Sequence, residues 1–280
     1  MKKEFFSTLE GLLDIEDSNA LRTSFADFYE DFKAKKFYLE SDTDSKDCKE
    51  FGTLKLCKAQ IVSPLKINRP KKVCSINTTA KILHSVAHIE CSAIILALDT
   101  AYRFKGMPLR FYEDWLEVAS EEIRHFALLE ELLCELGYKY GDFSVHNKLF
   151  EALCATSKDL SVRLGVVHRG LEAKGLDANP FVLTKLLQTT LPITKKLKEV
   201  FDIILCDEIG HVSKGDKWWR LTLNTLKTPY SFVDLCKEFE YFTLAGKVMN
   251  IDARLKAGFS QEELEQMQDY FHKSGISQIK

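Results

Sequence analysis

The chain has 280 residues, 45% of them hydrophobic and 29% charged, with a formal net charge of −2. Such a composition belongs to a soluble globular protein able to bury a sizeable core, and it excludes a disordered chain. The balanced charge gives no global polyanion signal, so a nucleic-acid surface would have to be a local patch. KAKK (33–36) and KINRPKK (66–72) are the two candidate patches, and both read more simply as solvated charge runs.

The N-terminal MKKEFFSTLEGLLDIEDS starts basic, but Glu4, Glu10 and Asp14 interrupt any signal-peptide core. Residues 1 to about 45 carry two or three short amphipathic helices, clearest in SNALRTSFADFYEDFKAKKFYLE. SDTDSKDCKEFG (41–52) reads as a polar loop, and the two prolines of IVSPLKINRPKK (61–72) suggest an extended arm. From Asn77 or Thr78 the pattern becomes strongly helical. One long helix runs to Phe104 and stops at KGMP, and a second runs from about 109 to Leu136 and ends at Gly137. A short helix spans about 146–155. A third long helix, capped at Thr156 or Ser157, is expected to end at Gly175, and a fourth starts near Pro192 and runs through Trp219. In the tail, Ser260 and Glu263 of SQEEL form a capping box. The expected organisation is all-α: residues 1–75 a helical extension and arm, 76–222 a four-helix bundle, 223–280 a helical tail packed on it.

The eight cysteines contain no CxxC pair, which argues against a zinc ribbon or a rubredoxin-type iron centre. Cys91, Cys134 and Cys206 lie in apolar helical segments and are expected as small core residues, and free thiols in this number suit a reducing compartment. The longest apolar run, AIILAL (93–98), is too short to span a bilayer. A cytoplasmic protein with no membrane attachment is expected.

The chemistry sits on the apolar stripes of the long helices. In EEIRHFALLEELL the inward positions counted from Trp115 are apolar except Glu122 and His125, and in FDIILCDEIGHVSKGDKWW the exceptions are Glu208 and His211. Three residues are about 300° of helical rotation, so each Glu and its His project from one face. Glu121 and Asp207 leave those stripes, so Glu122 and Glu208 are preferred. The first and third long helices each add one inward glutamate, Glu90 and Glu172, giving the order Glu, Glu-x-x-His, Glu, Glu-x-x-His. This is the ligand set of dinuclear carboxylate bundles, in which four carboxylates balance two divalent ions and each imidazole completes one of them. Two metal ions are therefore expected, iron first and manganese as the alternative. Ala87, Ala119 and Gly165 are expected to leave room beside them. His168, one turn before Glu172, is the candidate proton relay, a satisfied core histidine being the other reading. Arg169 is expected to neutralise a ligand carboxylate or to bind substrate. His88 reads as a packing or supporting histidine, and Trp115, Trp218 and Trp219 as core.

With HIECSAIILALD (88–99), YGDFSVHNKLFEA (140–152), RGLEAKGLDANP (169–180), DEIGHVSKGDKWW (207–219) and ARLKAGFSQEEL (253–264), the chain resembles the ferritin-like superfamily. More closely, over roughly residues 60 to 265, it resembles an uncharacterised bacterial family within that superfamily, a domain of unknown function. The resemblance implies the same ligands, Glu90, Glu122, His125, Glu172, Glu208 and His211. It is reminiscent, at the level of the fold, of tRNA-modifying di-iron hydroxylases. The expectation that follows is an oxidoreductase that uses oxygen or peroxide to oxidise or hydroxylate a small-molecule or RNA substrate. It would draw electrons from a separate reductase and could work as a homodimer. The alternatives are a manganese-catalase or peroxidase activity, non-catalytic iron binding or storage, and an interaction protein on a metal-free bundle.

Overall fold

A computed structural model describes residues 2–39, 48–67, 73, 75–189, 191–227, 230–243 and 248–273. Most of the 41–52 loop and of the KINRPKK stretch, and Cys74, lie outside the described residues. The fold is helical, with one minimal sheet in which β1 (Lys3–Glu4) runs parallel to β2 (Phe37–Tyr38), Lys3 opposite Phe37 and Glu4 opposite Tyr38. The chain divides into two compact units, Met1–Lys71 with Ser75–Phe150, and Lys72–Cys74 with Glu151–Lys280. The boundary falls inside the expected 76–222 bundle, and the expected extension shares a unit with the first two long helices.

In the first unit, α1 (Phe5–Leu13) is capped by Glu4, whose side chain accepts from the Phe6 and Ser7 amides, and α2 (Ser18–Lys33) by Asp17, which accepts from Ala20. The apolar stripes of both helices are phenylalanine-rich. Phe5 meets Phe28, Phe32 and Phe37 at ring-centroid distances of 5.7, 5.5 and 6.0 Å, and Tyr112 at 5.3 Å. Those edge and tilted contacts fasten the N-terminal helices to α4 (Leu109–Glu135), so the apolar faces of α1 and α2 belong to the core of this unit. Helix α3 (Ile76–Arg103) opens one residue before the expected start, because Ser75 and Thr78 form the capping box. It ends at Phe104, ahead of Gly106 (φ +75°), and α4 ends before Gly137 (φ +78°), as the sequence indicates. Helix α3 is long and apolar enough to cross a membrane, but 78% of its apolar window is buried inside the protein, as in a core helix. The seven described cysteines are free. Cys91 is buried, whereas Cys134 and Cys206 are exposed, against expectation, since each falls on the outer side of its helix.

The second unit departs further from the α-helical pattern. After α5 (Lys148–Ala155) the N-cap is Asp159, not Thr156 or Ser157, and a turn of α6 (Leu160–Val162) passes into a π-helix over Arg163–Leu171. The Glu172 amide still donates five residues back, to Val167, before α7 (Glu172–Leu186) resumes ordinary spacing. The helix does not stop at Gly175. It continues through Pro180, where the missing N–H would orphan the Leu176 carbonyl, and Asn250 Nδ2 donates to that oxygen instead at 3.2 Å. Helix α8 (Thr194–Leu226) packs against both segments. Its close approach is set by Gly215, where a Cβ would sit 2.8 Å from the His168 carbonyl carbon. Gly165 serves the same end and opens no space at the site, since its missing Cβ is replaced by Leu235 and the Trp219 indole. Short helices α9 (Phe232–Glu238), α10 (Glu240–Thr243) and α11 (Ile251–Lys256) lead to α12 (Gln261–Lys273). The expected capping box is formed there: Ser260 N donates to Glu263 Oε2 at 2.9 Å and Glu263 N to Ser260 Oγ at 3.1 Å.

Candidate metal centre

In the first unit α3 brings Glu90, and α4 brings Glu122 and His125, into one buried cluster. His125 Nδ1 lies 3.4 Å from Glu90 Oε2 and 3.4 Å from Glu122 Oε2. One ligand atom from each of the three lies within 4.8 Å of the others. Ligands bonded to one ion at ~2.0–2.2 Å lie at most about 4.4 Å apart, and the two 3.4 Å separations from His125 fall inside that limit. The charge balance points the same way. Burial and the neighbouring Glu122 carboxylate push Glu90 well above the ordinary carboxylate range, with His125 only partly opposing them. Two carboxylates held together away from water need either a proton or a cation between them. The donor set therefore fits a divalent metal ion, and this buried Glu/His cluster is one that could hold it.

The second unit repeats the pattern. Glu172 opens α7, Glu208 and His211 lie on α8, and all three are buried. His211 Nδ1 is 3.6 Å from Glu208 Oε1. Gly175, one turn after Glu172, faces Glu208, whose Oε2 would lie 3.7 Å from a Cβ there. His168 does contact this set: its Nδ1 is 3.0 Å from Glu172 Oε1, with the ring fully buried. Arg169 has other partners than a ligand carboxylate. Its Nε donates to Asp216 at 2.6 Å and its Nη2 to Glu263 at 2.8 Å, and the guanidinium lies over Trp219, Phe232 and Phe259. The i→i+5 bonding accounts for the exchange. With less rotation per residue, the side chain four positions before Glu172 aligns with it, and the one three positions before does not.

Behind Glu90 on α3, His88 and His84 hold the loop that follows α4. His88 Nε2 donates to the His146 carbonyl at 3.0 Å, and its Nδ1 accepts from the Tyr140 hydroxyl at 2.8 Å. His84, which the sequence did not single out, accepts from the Gly141 amide through Nε2 at 2.8 Å and stacks on Tyr140. Burial lowers both imidazoles to about 4 from an ordinary 6.5, and protonating His84 at Nε2 would break the Gly141 bond. Because the folded-state value is the lower one, this stability is complete above pH 6.5 and is lost as pH falls from 6.5 to 4. A His84→Gln variant should accordingly show a flatter decline in melting temperature between pH 7.5 and 5, the wild type losing roughly 1–2 kcal/mol more over that span. Parallel declines would show that His84 takes no part in the acid response.

Comparison with known proteins gives this arrangement a family. An uncharacterised protein of Haemophilus influenzae is 43% identical over 195 residues, 66% of this chain and 66% of that relative. No solved structure matches. The family model described as a protein of unknown function, DUF455, matches residues 17–265, a span that takes in all six candidate ligands. The chain therefore belongs to the DUF455 family.

Proposed function

We propose that the protein is a ferritin-like dimetal-carboxylate oxidoreductase, with three candidate ligands in each unit. The observation that carries this reading is the repeat itself: in each unit one helix offers a buried Glu and the next a buried Glu-x-x-His. Glu90, Glu122 and His125 would hold one ion, and Glu172, Glu208 and His211 the other. A pair of iron or manganese ions in such a ligand set supplies two-electron chemistry on oxygen or peroxide, used here to oxidise or hydroxylate an organic substrate. The protein's own groups do the rest. The buried helix faces exclude bulk water, the paired glutamates place negative charge where the cations sit, and His168 holds Glu172 through Nδ1 and can pass a proton to or from its carboxylate. Electrons come from a separate reductase, and the substrate is a small molecule or an RNA.

The test is metal content by mass spectrometry on protein purified without a metal-affinity tag, beside a Glu122→Ala/Glu208→Ala double variant. The expected result is about two iron or manganese ions per chain in the wild type and their loss in the variant. Wild-type protein that stays metal-free after reconstitution with either ion would overturn the reading.

A further inference from the structure

Two thiols of the first unit converge on one hydroxyl. Tyr140, buried in the loop that follows α4, hydrogen-bonds Cys91 through its side chain, and its Oη also lies 3.6 Å from Cys57 Sγ. The same hydroxyl lies 2.8 Å from His88 Nδ1, and Cys57 Sγ is 3.9 Å from that nitrogen. The Tyr140 ring is packed on Phe126 and His84, with centroids 5.0 and 5.2 Å away, so the hydroxyl is a fixed point for both sulfurs. Two atoms that each touch one oxygen can also touch each other. A sulfur that rolls around the hydroxyl therefore meets its neighbour without unpacking the ring.

The two sulfurs differ in access and in what carries them. Cys91 is fully buried in the middle of α3, whereas Cys57 is half-buried. Cys57 closes a turn, its amide bonding to the Leu54 carbonyl at 3.0 Å, and residues 48–62 form no helix. A dissolved oxidant meets Cys57 first, and the turn can give the ångströms that a sulfur–sulfur bond requires. We propose that Cys57 and Cys91 are a peroxide-responsive thiol pair, Cys57 the thiol that is attacked and Cys91 the one that resolves it. Cys57 Sγ, as thiolate, takes one oxygen of hydrogen peroxide. The O–O bond breaks, the sulfur is oxidised to a sulfenic acid, and the departing hydroxide leaves as water with the proton the thiol gave up. The Tyr140 hydroxyl stands within reach of the attacking sulfur as a donor for that hydroxide. Cys91 Sγ then attacks the Cys57 sulfur, the S–O bond breaks, and a second water carries off the Cys91 proton. Two thiols and one peroxide thus give one disulfide and two waters. The bond ties the 48–62 stretch to α3, and a reducing compartment reopens it.

Neither thiol is a candidate metal ligand and the step uses no metal, so the proposal stands apart from the oxidoreductase reading. Its test is peptide mapping by mass spectrometry on the full chain, reduced, freed of reductant and given about one equivalent of hydrogen peroxide before the remaining thiols are blocked. A Cys57–Cys91 linked peptide, two hydrogens lighter than its reduced halves, should account for about half or more of both residues and disappear with dithiothreitol. The exposed Cys134, Cys154 and Cys206 should stay mostly free. Cys57→Ser, a change at a half-buried site, should keep the melting temperature and leave Cys91 reduced. Cys91→Ser should stop the reaction at a Cys57 sulfenic acid that dimedone captures. A chelator-treated sample should give the same linked peptide as the untreated one. Oxidation of the exposed thiols with Cys57 and Cys91 still free, a stable Cys57 sulfenic acid in the wild type, or a linked peptide that forms only when metal is present would each overturn the proposal.

Discussion

Adding ferrous or manganous ion to metal-stripped protein should raise its melting temperature by about 5–10 °C, and should leave a Glu122→Gln variant where it started. A ligand that binds only the folded state at about 100 times its dissociation constant adds roughly 2.7 kcal/mol. For a chain of this size each kcal/mol moves the midpoint by about 2–4 °C. The stripped proteins should rank the other way. Glu122 sits beside Glu90 with both side chains buried, and Glu90 is held well above its ordinary range by burial and by that neighbour. A carboxyl whose folded-state value is raised stabilises the fold at acid pH and costs stability as pH rises through that value. At neutral pH the stripped wild type therefore carries a like-charge penalty that Gln, of the same shape and uncharged, removes. Glu122→Gln should thus be the more stable protein without metal and the less stable one with it. A variant that responds to metal as the wild type does would remove Glu122 from the ligand set. A stripped variant less stable than the stripped wild type would show that the pair is a hydrogen-bonded polar network with no need of a cation.

The parts of this centre that were legible in the sequence are those governed by ordinary helical spacing. Glu122 and His125 interrupt the apolar stripe from Trp115 to Leu133, and Glu208 and His211 interrupt the one from Phe201 to Trp219. Each pair is buried where a period of 3.6 residues puts it. Local chemistry was equally readable: the Ser260–Glu263 capping box and the terminating Gly137 are decided within a few residues. The π-helix at Arg163–Leu171 was not readable, because what holds it is remote. Along it Gly165 packs on Leu235 and Trp219, and Gly215 approaches His168, all contacts between residues remote in sequence. The same applies to the helix running on past Pro180, which depends on a side chain 74 residues from Leu176. Counting by ordinary spacing across that segment put both His168 and Arg169 beside Glu172, whereas the structure keeps His168 there and turns Arg169 to Asp216 and Glu263.

Arg169→Ala should cost about 3–5 kcal/mol, whereas Arg220→Ala, in the same ion cluster, should cost less than about 1 kcal/mol. The two arginines share Asp216 and Glu263, with every contact at 2.6–2.8 Å, but Arg169 is fully buried and the Arg220 side chain is 43% exposed. Water can replace Arg220 at those carboxylates. It cannot reach the place of a guanidinium that lies 4.1 Å from the Phe232 and Phe259 ring centres and 4.8 Å from that of Trp219. Removing Arg169 leaves two part-buried carboxylates with only one shared cation, and opens a cavity within the aromatic cage. Lysine is no remedy, since a compact ammonium can neither reach both carboxylates in a fork nor stack across three rings. Glu263 also caps α12, accepting from Ser260, so losing Arg169 should loosen the C-terminal helix first. Limited proteolysis should cut within 261–273 at denaturant concentrations the wild type withstands. The reading of Arg169 as a partner of the metal ligands makes a different forecast: metal lost from a protein of unchanged stability. Equilibrium unfolding and metal content, measured on the same Arg169→Lys sample, separate the two. A large fall in stability with metal per folded chain retained identifies Arg169 as the clamp that fixes α12 and α8 against the π-helix, one residue from His168. Unchanged stability with metal lost would return it to the site.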